Sequence, residues 1–459
     1  MLYFILRPLT NIFLRIFYRL QVKGLDSLPP DKPLVLLPNH VNAFIDPVII
    51  AMLPKRKIRF FARGDIFKGR LAKWALESMN ISPMYRISEG YSDLKKNDKT
   101  FEECRRLLSE NKAILLFPEG ICVQSRRIEK LKKGTARIIL GIEETMLCKE
   151  DITIVPVGLN YSSAPYFRSR LFINFGTALS ISDFKKRFTE DKVKAINEFT
   201  LFLENEMVKQ IVVIRDPEND ELYEGLAEIY VRQWMEEEGI KTKDQEAEHQ
   251  KNKALASLIN GLQQTNPEEN ESLKERILPY LATLKQHKLR DHLLRQDALA
   301  RMNIKSILND FFILWFGLPV YWTGLVLNLL PYHLAKKIAN EKVGKVEFYA
   351  SVYANLGMIF WIVFYILQLV FITRIFHNWI LTTVWAILVP AMGYYVISFY
   401  PAMKKIFGRW RLLGLVKKNK AEAERLILER EHIVRMIRSI LDNRQPVENN
   451  HKAAMPSPD

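Results

Sequence analysis

The pattern of apolar and polar residues divides the chain into three parts of different character. Short apolar runs alternate with helical periodicity from residue 21 to about 215, which is typical of an α/β domain. Charged residues with helical apolar rows fill 216–305 and predict a helical hairpin or bundle. From about 311 the chain carries long uncharged stretches. These stretches predict membrane-spanning segments.

The alternating part predicts strands separated by helices. The predicted strands are 34–37, 58–62, 81–85, 113–117, 152–160 and 170–176. The predicted helices are 47–53, 68–79, 91–110, 132–147 and 193–211. This alternation favours an α/β fold in which a mixed sheet is flanked by helices. Functional groups in such open sheets collect where the strands end.

The first 20 residues predict a helix with a cationic stripe. Arg7, Asn11, Arg15 and Arg19 recur every four residues, and apolar or aromatic side chains occupy most other positions. This pattern favours a helix that lies in the plane of a membrane interface. An ordinary helix docked on the following domain has the same periodicity. No small-residue cleavage site follows, so a signal peptide is not expected.

Three apolar stretches have the length of membrane spans, namely 311–331, 348–372 and 379–400. Lysines in the loop 332–347 and basic residues after 400 predict that both regions lie on the cytoplasmic side. The second and third stretches then form a hairpin. The first would enter and leave by the same face, with a break at 317–319 where a glycine and a proline occur.

Composition supports an anionic partner. The chain has 67 Lys and Arg against 51 Asp and Glu, a formal net charge of +16, which suits nucleic acid or an anionic membrane surface. Tryptophan and tyrosine gather near the apolar stretches and no nucleic-acid motif occurs, which favours the membrane. Cys104, Cys122 and Cys148 have neither a pairing pattern nor metal-ligand spacing, which fits a reducing compartment.

The most informative stretch is 34–46, an apolar run followed by a polar turn. The turn carries His40, and Asp46 follows six residues later beside Pro47. This order predicts Asp46 as the N-cap of a helix. A regular helix would point the two side chains apart, so their pairing requires a loop that folds back. A histidine held by a carboxylate can act as a general base; the alternative is that Asp46 only caps the helix.

Three later strand ends carry residues that have ordinary structural explanations when taken alone. Arg86 ends one apolar run, Phe-Pro-Glu-Gly at 117–120 ends the next, and a proline and a glycine interrupt 154–158. Together with the turn at 39–46, these blocks resemble in order and spacing the four motif blocks of the phospholipid/glycerol acyltransferase family. The resemblance covers roughly residues 25–215.

The resemblance implies transfer of a fatty acyl group from acyl-CoA or acyl carrier protein to the hydroxyl of a glycerol-phosphate acceptor. No metal or organic cofactor is implied beyond this thioester donor. His40, oriented by Asp46, would be the general base. Backbone N–H groups near Gly120 would stabilise the oxyanion. The residues implied in binding the acceptor are Arg86, Glu119, Gly120, Ser125 and Arg126.

Two departures from the family pattern bear on the acceptor. Five residues separate His40 from Asp46 where four are commoner, and this longer form is similar to fungal acyltransferases acting on glycerol 3-phosphate or dihydroxyacetone phosphate. The usual Thr/Ser-Arg after Glu-Gly is replaced by Ile121-Cys122, with Ser125-Arg126 further on. The resemblance as a whole implies 1-acylglycerol 3-phosphate or glycerol 3-phosphate as the acceptor, and both departures bear on this choice more than on the reaction. The alternatives are a lysophospholipid-remodelling acyltransferase and a non-catalytic membrane scaffold.

The expected organisation follows from these patterns. It comprises an interfacial amphipathic helix (1–24), an acyltransferase domain (25–215), a helical region (216–305), membrane segments (306–400), a basic helix (401–444) and a disordered tail (445–459). The protein is expected to be integral to a phospholipid bilayer. Its catalytic domain is expected on the cytoplasmic face, where acyl-CoA and acyl carrier protein are present.

Overall fold

The computed structural model describes residues 2–84, 94–145, 152–296 and 304–453. Within these residues, the N-terminal part contains a seven-stranded sheet. Its strands are β1 (Arg19–Lys23), β2 (Leu34–Pro38), β3 (Ile58–Arg63), β4 (Ile81–Met84), β5 (Ala113–Leu115), β6 (Thr153–Tyr161) and β7 (Arg170–Phe175). The order is β1-β7-β6-β2-β5-β3-β4, with β6 and β7 antiparallel and the other neighbours parallel. The expected mixed sheet is confirmed.

Seven helices accompany the sheet in the described residues. They are α1 (Leu2–Phe17), α2 (Ile45–Met52), α3 (Arg70–Ser78), α4 (Leu94–Ser109), α5 (Lys133–Thr145), α6 (Ser182–Glu190) and α7 (Lys192–Val208). The five predicted helices coincide with α2–α5 and α7 to within three residues. The remaining six strands after β1 match predicted strands to within two residues.

Two elements of this part were absent from the prediction, and both have weak sequence signals. β1 reads RLQVK and follows α1 almost directly, so its short alternation is hidden in the pattern of the preceding helix. α6 reads SDFKKRFTE and buries only Phe188. Each element is therefore defined by its tertiary neighbours, β7 for the strand and α7 for the helix, more than by its own periodicity.

The centre of the sheet explains how the functional residues come together. β2 lies between β5 and β6, and all of its residues are buried, as expected for a strand covered on both faces. Because β2, β5 and β6 run parallel, their carboxyl ends lie at the same edge of the sheet. The turns that follow β2 and β5 therefore meet the end of β6.

The first two polar residues of the α1 stripe, Arg7 and Asn11, contact the end of α2. Arg7 donates to the carbonyl oxygens of Met52 at 3.0 Å, Pro54 at 2.5 Å and Lys55 at 3.2 Å, at and beyond the end of α2. The side chain of Asn11 also donates to Met52 O. A cation at a helix C-terminus satisfies free carbonyl groups and complements the helix dipole. This half of the stripe therefore docks α1 on the sheet domain.

The chain forms two compact units. The first comprises Met1–Val213 together with Lys337–Met358, and the second comprises Ile214–Lys336 and Ile359–Asp459. The helices beyond α7 are α8 (Asp220–Leu226), α9 (Arg232–Glu237), α10 (Gln245–Thr265), α11 (Pro267–Gln286), α12 (Ile304–Lys342), α13 (Val346–Phe376), α14 (Trp379–Lys418) and α15 (Lys420–Ala453). Short helical turns lie at Leu25–Ser27, Gly64–Phe67, Pro217–Asn219, Ala227–Val231 and Asp291–Leu293. The predicted helical character of 216–305 is thus seen in its described residues.

Three of these helices, α12, α13 and α14, are long and apolar enough to cross a membrane. The predicted break at 317–319 is wrong, because α12 is one continuous helix that includes Pro319. A proline removes a single backbone donor, and apolar helices tolerate this when nearby groups satisfy the freed carbonyl. The carbonyl freed by Pro319 is that of Trp315, and the hydroxyl of Thr323 bonds the backbone oxygen of Pro319 itself at 2.9 Å.

The C-terminal helices also differ from the expected boundaries. α14 extends beyond the apolar stretch to Lys418, and Asn419 separates it from α15. The side chain of Asn419 accepts a hydrogen bond from the N–H of Glu422, so it caps the new helix. The predicted single basic helix is therefore two segments. α15 also continues through Ala453, into the segment that the sequence predicts as a disordered tail.

Polar side chains connect the apolar helices within the second unit. Trp361 Nε1 donates to Asn328 Oδ1 at 3.0 Å, joining α13 to α12. Gln368 of α13 donates to Leu327 O at 3.1 Å and accepts from Trp385 Nε1 of α14 at 3.3 Å. Such bonds hold helices together where apolar surfaces gain little by leaving lipid. They connect all three helices.

A paired substitution tests the docking of α1. Arg7→Ala should lower the stability of the first unit by about 1–3 kcal/mol, because it leaves several partly buried carbonyl groups without a donor. Arg15→Ala changes an exposed side chain of the same helix and should have little effect. Thermal unfolding of the purified full-length protein in detergent measures both. Equal effects of the two substitutions would contradict the docking role of Arg7.

Candidate active site

The carboxylate of Asp46 is the centre of the site. It is fully buried. Its Oδ2 accepts hydrogen bonds from His40 Nδ1 at 3.0 Å and from the N–H groups of Val41 and Asn42, both at 2.7 Å. Its Oδ1 accepts from the hydroxyl of Tyr161 at 2.7 Å. The loop folds back on the carboxylate, so that histidine and aspartate meet across five intervening residues.

Asp46 lies in the first turn of α2 and is not its N-cap. The helix begins at Ile45 and Phe44 occupies the cap position without a capping side chain. The N-cap prediction is wrong because the carboxylate turns back towards the N–H groups that precede the helix. A negative charge in the first turn still complements the helix dipole.

His40 is held on three sides. Its ring stacks on Phe117 with a centroid distance of 4.0 Å and an interplanar angle of 26°. Its N–H donates to Glu119 Oε1 at 3.0 Å, and its carbonyl oxygen accepts from the N–H of Val123 at 3.1 Å. Because Nδ1 faces the carboxylate of Asp46, it carries the proton of the neutral ring. Nε2 is then the nitrogen with a lone pair, and the side chain is 14% exposed.

Glu119 joins two loops at the strand ends. Its Oε1 accepts from His40 N, as described above, and its Oε2 accepts from the N–H of Glu129 at 3.0 Å. The side chain is only 3% exposed, and burial raises its pKa to about 7 although both hydrogen bonds lower it. Both oxygens are therefore engaged by backbone groups, and these contacts position His40.

Gly120 adopts a backbone conformation that favours glycine, with φ of +68°. Its N–H donates to Phe117 O at 3.1 Å. The N–H group expected to stabilise an oxyanion is therefore engaged in a turn here. The geometry of Gly120 shapes the turn that places Glu119 beside the loop of residues 40–44.

The other predicted binding residues lie in the loop that follows Gly120 or outside the described part. Ser125 Oγ accepts from Arg127 N and donates to Arg127 O, both at 3.3 Å, which shapes the loop locally. Arg126 is partly buried in the same loop. Arg86 lies outside the described residues. Of the predicted set, the structure thus brings His40, Asp46 and Glu119 into direct contact.

Two tyrosines complete the polar surroundings and were not singled out from the sequence. Tyr161 ends β6 and bonds Asp46, while Tyr18 OH accepts from Asn42 Nδ2 at 3.3 Å and donates to Ala164 O at 2.9 Å. Burial and the nearby carboxylate raise the pKa of both hydroxyls well above the usual value. Both therefore remain protonated. The one available signal for Tyr161 is its place at the end of a strand next to β2.

Asn39 fixes the end of β2 against β6. Its Oδ1 accepts from the N–H of Leu159 at 2.7 Å and its Nδ2 donates to Leu159 O at 3.2 Å. The side chain thus imitates a paired backbone segment where the strand ladder stops. This places the beginning of the loop of residues 40–44 beside the end of β6.

Comparison with known proteins agrees with this geometry. Residues 19–160 match the model of the Acyltransferase family. This match covers less than a third of the chain and shows that this part is similar to the acyltransferase family. The matched range includes His40, Asp46 and Glu119. Tyr161 follows its last residue directly.

Curated relatives extend the comparison. A chloroplastic 1-acyl-sn-glycerol-3-phosphate acyltransferase from Arabidopsis thaliana is 27% identical over 158 residues, 34% of this chain and 40% of the relative. Glycerol-3-phosphate O-acyltransferase 1 of Saccharomyces cerevisiae is 24% identical over 243 residues, 51% of this chain and 30% of the relative. The chain thus spans less than half the length of either relative.

Among solved structures, the chain is similar to PlsC, the 1-acyl-sn-glycerophosphate acyltransferase from Thermotoga maritima. The identity is 15% and the TM-score 0.30, over 41% of this chain and 76% of that chain. The strand order and strand registers given above define the fold of this part of the chain.

The raised pKa of Glu119 predicts a pH-dependent stability. The ordinary pKa of a glutamic acid is 4.5, and that of Glu119 in the folded state is about 7. Between these two pH values Glu119 is protonated in the folded state and ionised in the unfolded chain. The unfolded state then binds fewer protons, so this group lowers stability as pH rises through that interval and has a constant effect above it. Glu119→Gln cannot titrate. The Tm of the wild type minus that of Glu119→Gln should therefore fall from pH 4.5 to 7 and then level off.

Thermal unfolding across this pH range measures the difference directly. Glu110→Gln replaces an exposed glutamate of the same unit and serves as the control, and the fall should be specific to Glu119→Gln. A Tm difference for Glu119→Gln that stays constant or rises with pH would contradict the raised pKa.

Proposed function

We propose that this protein is a membrane-bound O-acyltransferase of glycerolipid synthesis. Acyl-CoA or acyl carrier protein supplies the fatty acyl group, and glycerol 3-phosphate or 1-acylglycerol 3-phosphate accepts it. The hydrogen bond between His40 Nδ1 and Asp46 Oδ2, inside the part of the chain that is similar to the acyltransferase family, carries the proposal. The names of the relatives from Arabidopsis thaliana and Saccharomyces cerevisiae support both acceptors.

The reaction begins with proton removal by His40. Nε2 takes the proton of the acceptor hydroxyl, and the oxygen attacks the thioester carbonyl. The tetrahedral intermediate collapses with cleavage of the C–S bond, and the leaving thiolate takes the proton back from Nε2. Asp46 holds the ring in the required tautomer and stabilises the transient imidazolium. No covalent acyl-enzyme is required.

The other donors to Asp46 preserve its orientation during this step. The hydroxyl of Tyr161 and the N–H groups of Val41 and Asn42 donate to the carboxylate of Asp46. The carboxylate therefore cannot rotate away when the His40 ring gains charge. Such preorganisation reduces the reorganisation that the reaction requires. The base is therefore aligned before substrate arrives.

The phosphate of the acceptor is assigned to basic residues near the strand ends. Arg86 follows the region of β4, and Arg126 lies in the loop after Gly120. A guanidinium group presents paired donors that match phosphate oxygens. Ser125 would contribute through the shape of the loop that carries Arg126.

An acyltransferase assay tests the proposed activity. Membranes containing the full-length protein, labelled oleoyl-CoA and one of the two acceptors should yield lysophosphatidic acid from glycerol 3-phosphate or phosphatidic acid from 1-acylglycerol 3-phosphate. His40→Ala should lower the rate by about 100- to 10,000-fold, the range for loss of a general base. His287→Ala, a histidine of α11's C-terminal cap, is the control and should retain activity.

Two outcomes would contradict the proposal. The assigned reaction is excluded if membranes containing the protein label neither acceptor, whether acyl-CoA or an acyl carrier protein thioester is the donor. Full activity of the His40→Ala protein would exclude His40 as the base and favour a scaffold role for this chain. Thermal unfolding of both variants shows whether the substitutions leave the protein folded.

Cysteine labelling tests the proposed membrane orientation, with the acyltransferase domain on the cytoplasmic face. In a background without the three native cysteines, Gly344→Cys between α12 and α13 should react with an impermeant maleimide only from the cytoplasmic side, because Lys337–Met358 belong to the same compact unit as the sheet. A side chain at Gly344 meets open space. Phe376→Cys at the other end of α13 should react from the opposite side. Sealed vesicles of known orientation provide the measurement, and the reverse pattern would overturn this orientation.

A further inference from the structure

The catalytic loop, residues 40–44, depends on a helix far away in the sequence. It has five consecutive backbone N–H groups, and side chains of the acyltransferase domain accept the first three, as described above. The last two are bonded by α13. The N–H of Ala43 donates to Glu347 O and the N–H of Phe44 donates to Ser351 Oγ, both at 3.1 Å.

Further contacts join the start of α13 to the same loop. Gln124 Nε2 donates to Asn42 Oδ1 at 3.3 Å and to Val346 O at 3.2 Å. This amide therefore links the catalytic loop, the loop after Gly120 and the first residue of α13. Residues 346–358 group with the sheet domain in the first compact unit. These contacts thus lie within one unit.

Side-chain packing allows this close approach. Ala350 and Ala354 are fully or almost fully buried and lie one turn apart, and small residues let a helix backbone approach its neighbour. Tyr353 packs edge-on against Phe17 with a centroid distance of 5.8 Å. Ser351, between these anchors, is only 3% exposed. Its hydroxyl is therefore held in a dry position, where loss of an acceptor is costly.

The position of Phe44 matters for the chemistry. Phe44 is the N-cap residue of α2, and Asp46 lies two residues later in the first turn. A displacement of Phe44 therefore moves the carboxylate relative to the ring of His40. Ser351 touches neither His40 nor Asp46 in the described hydrogen bonds, so any effect on the reaction is transmitted through the backbone of the loop.

We infer that Ser351 is a positioning residue for the His40–Asp46 pair and that the first two turns of α13 form a wall of the catalytic loop. The hydroxyl of Ser351 fixes Phe44, the carbonyl of Glu347 fixes Ala43, and together they set the distance between imidazole and carboxylate. The inference rests on the proposed function for its kinetic consequence. The loop contact itself does not require that function.

Kinetics of full-length variants in membranes measure the positioning role. Ser351→Ala leaves the N–H of Phe44 without an acceptor and should lower kcat about tenfold, as for one unpaired buried donor, with KM for donor and acceptor unchanged. Ser351→Thr retains the hydroxyl and should keep kcat within about threefold. Ser272→Ala, at an exposed position of α11, is the matched control. An unchanged kcat for Ser351→Ala, or a change in KM alone, would overturn the role.

Hydrogen–deuterium exchange provides a readout that does not depend on activity. A peptide containing residues 40–46 should exchange faster in Ser351→Ala than in the wild type, with protection restored in Ser351→Thr. A peptide from α7 should be unchanged, which shows that the unit remains folded. Unchanged exchange in 40–46 would overturn the contact. An inactive wild type with faster exchange in Ser351→Ala would contradict the proposed reaction while upholding the contact.

Discussion

A carboxylate removed from water must find its hydrogen-bond donors inside the protein, because an unpaired buried charge is strongly unfavourable. Asp46 meets this requirement with four donors drawn from a ring nitrogen, two loop N–H groups and the phenol of Tyr161. The donors come from one loop and from β6, so the requirement fixes the loop, the tautomer of His40 and the approach of β6 together. The fold of the site follows from one buried charge.

The sheet supplies the positions and the loops supply the chemistry. β2, β5 and β6 end at one edge. The turn after β5 brings Glu119 to the N–H of His40, and Tyr161 at the end of β6 bonds Asp46. Asn39 continues the pairing of β2 and β6 past the last ladder bond. The geometry therefore depends on strand register, since a shift of one residue would turn His40 to the other face.

Local pattern was sufficient for six of the seven strands and for the sheet helices after α1 other than α6. It left the pairing of His40 with Asp46 as one of two alternatives, and the family resemblance favoured it. Local pattern was insufficient where tertiary contacts decide the outcome. Tyr161 bonds Asp46 from 115 residues away, and Ser351 bonds Phe44 from 307 residues away, so neither contact leaves a periodic signal. Pro319 led to a predicted break that the structure does not contain, because one missing donor does not end a long apolar helix.

The division of α13 between the two compact units has a consequence for any attempt to isolate the catalytic part. A fragment that stops at Val213 would contain every residue of the family match and the whole sheet. It would lack the acceptors for the last two N–H groups of the catalytic loop. The boundary of the family match and the boundary of the hydrogen-bond network around His40 and Asp46 are therefore different. A fragment that keeps this network must include the first turns of a helix that is itself long and apolar enough to cross a bilayer.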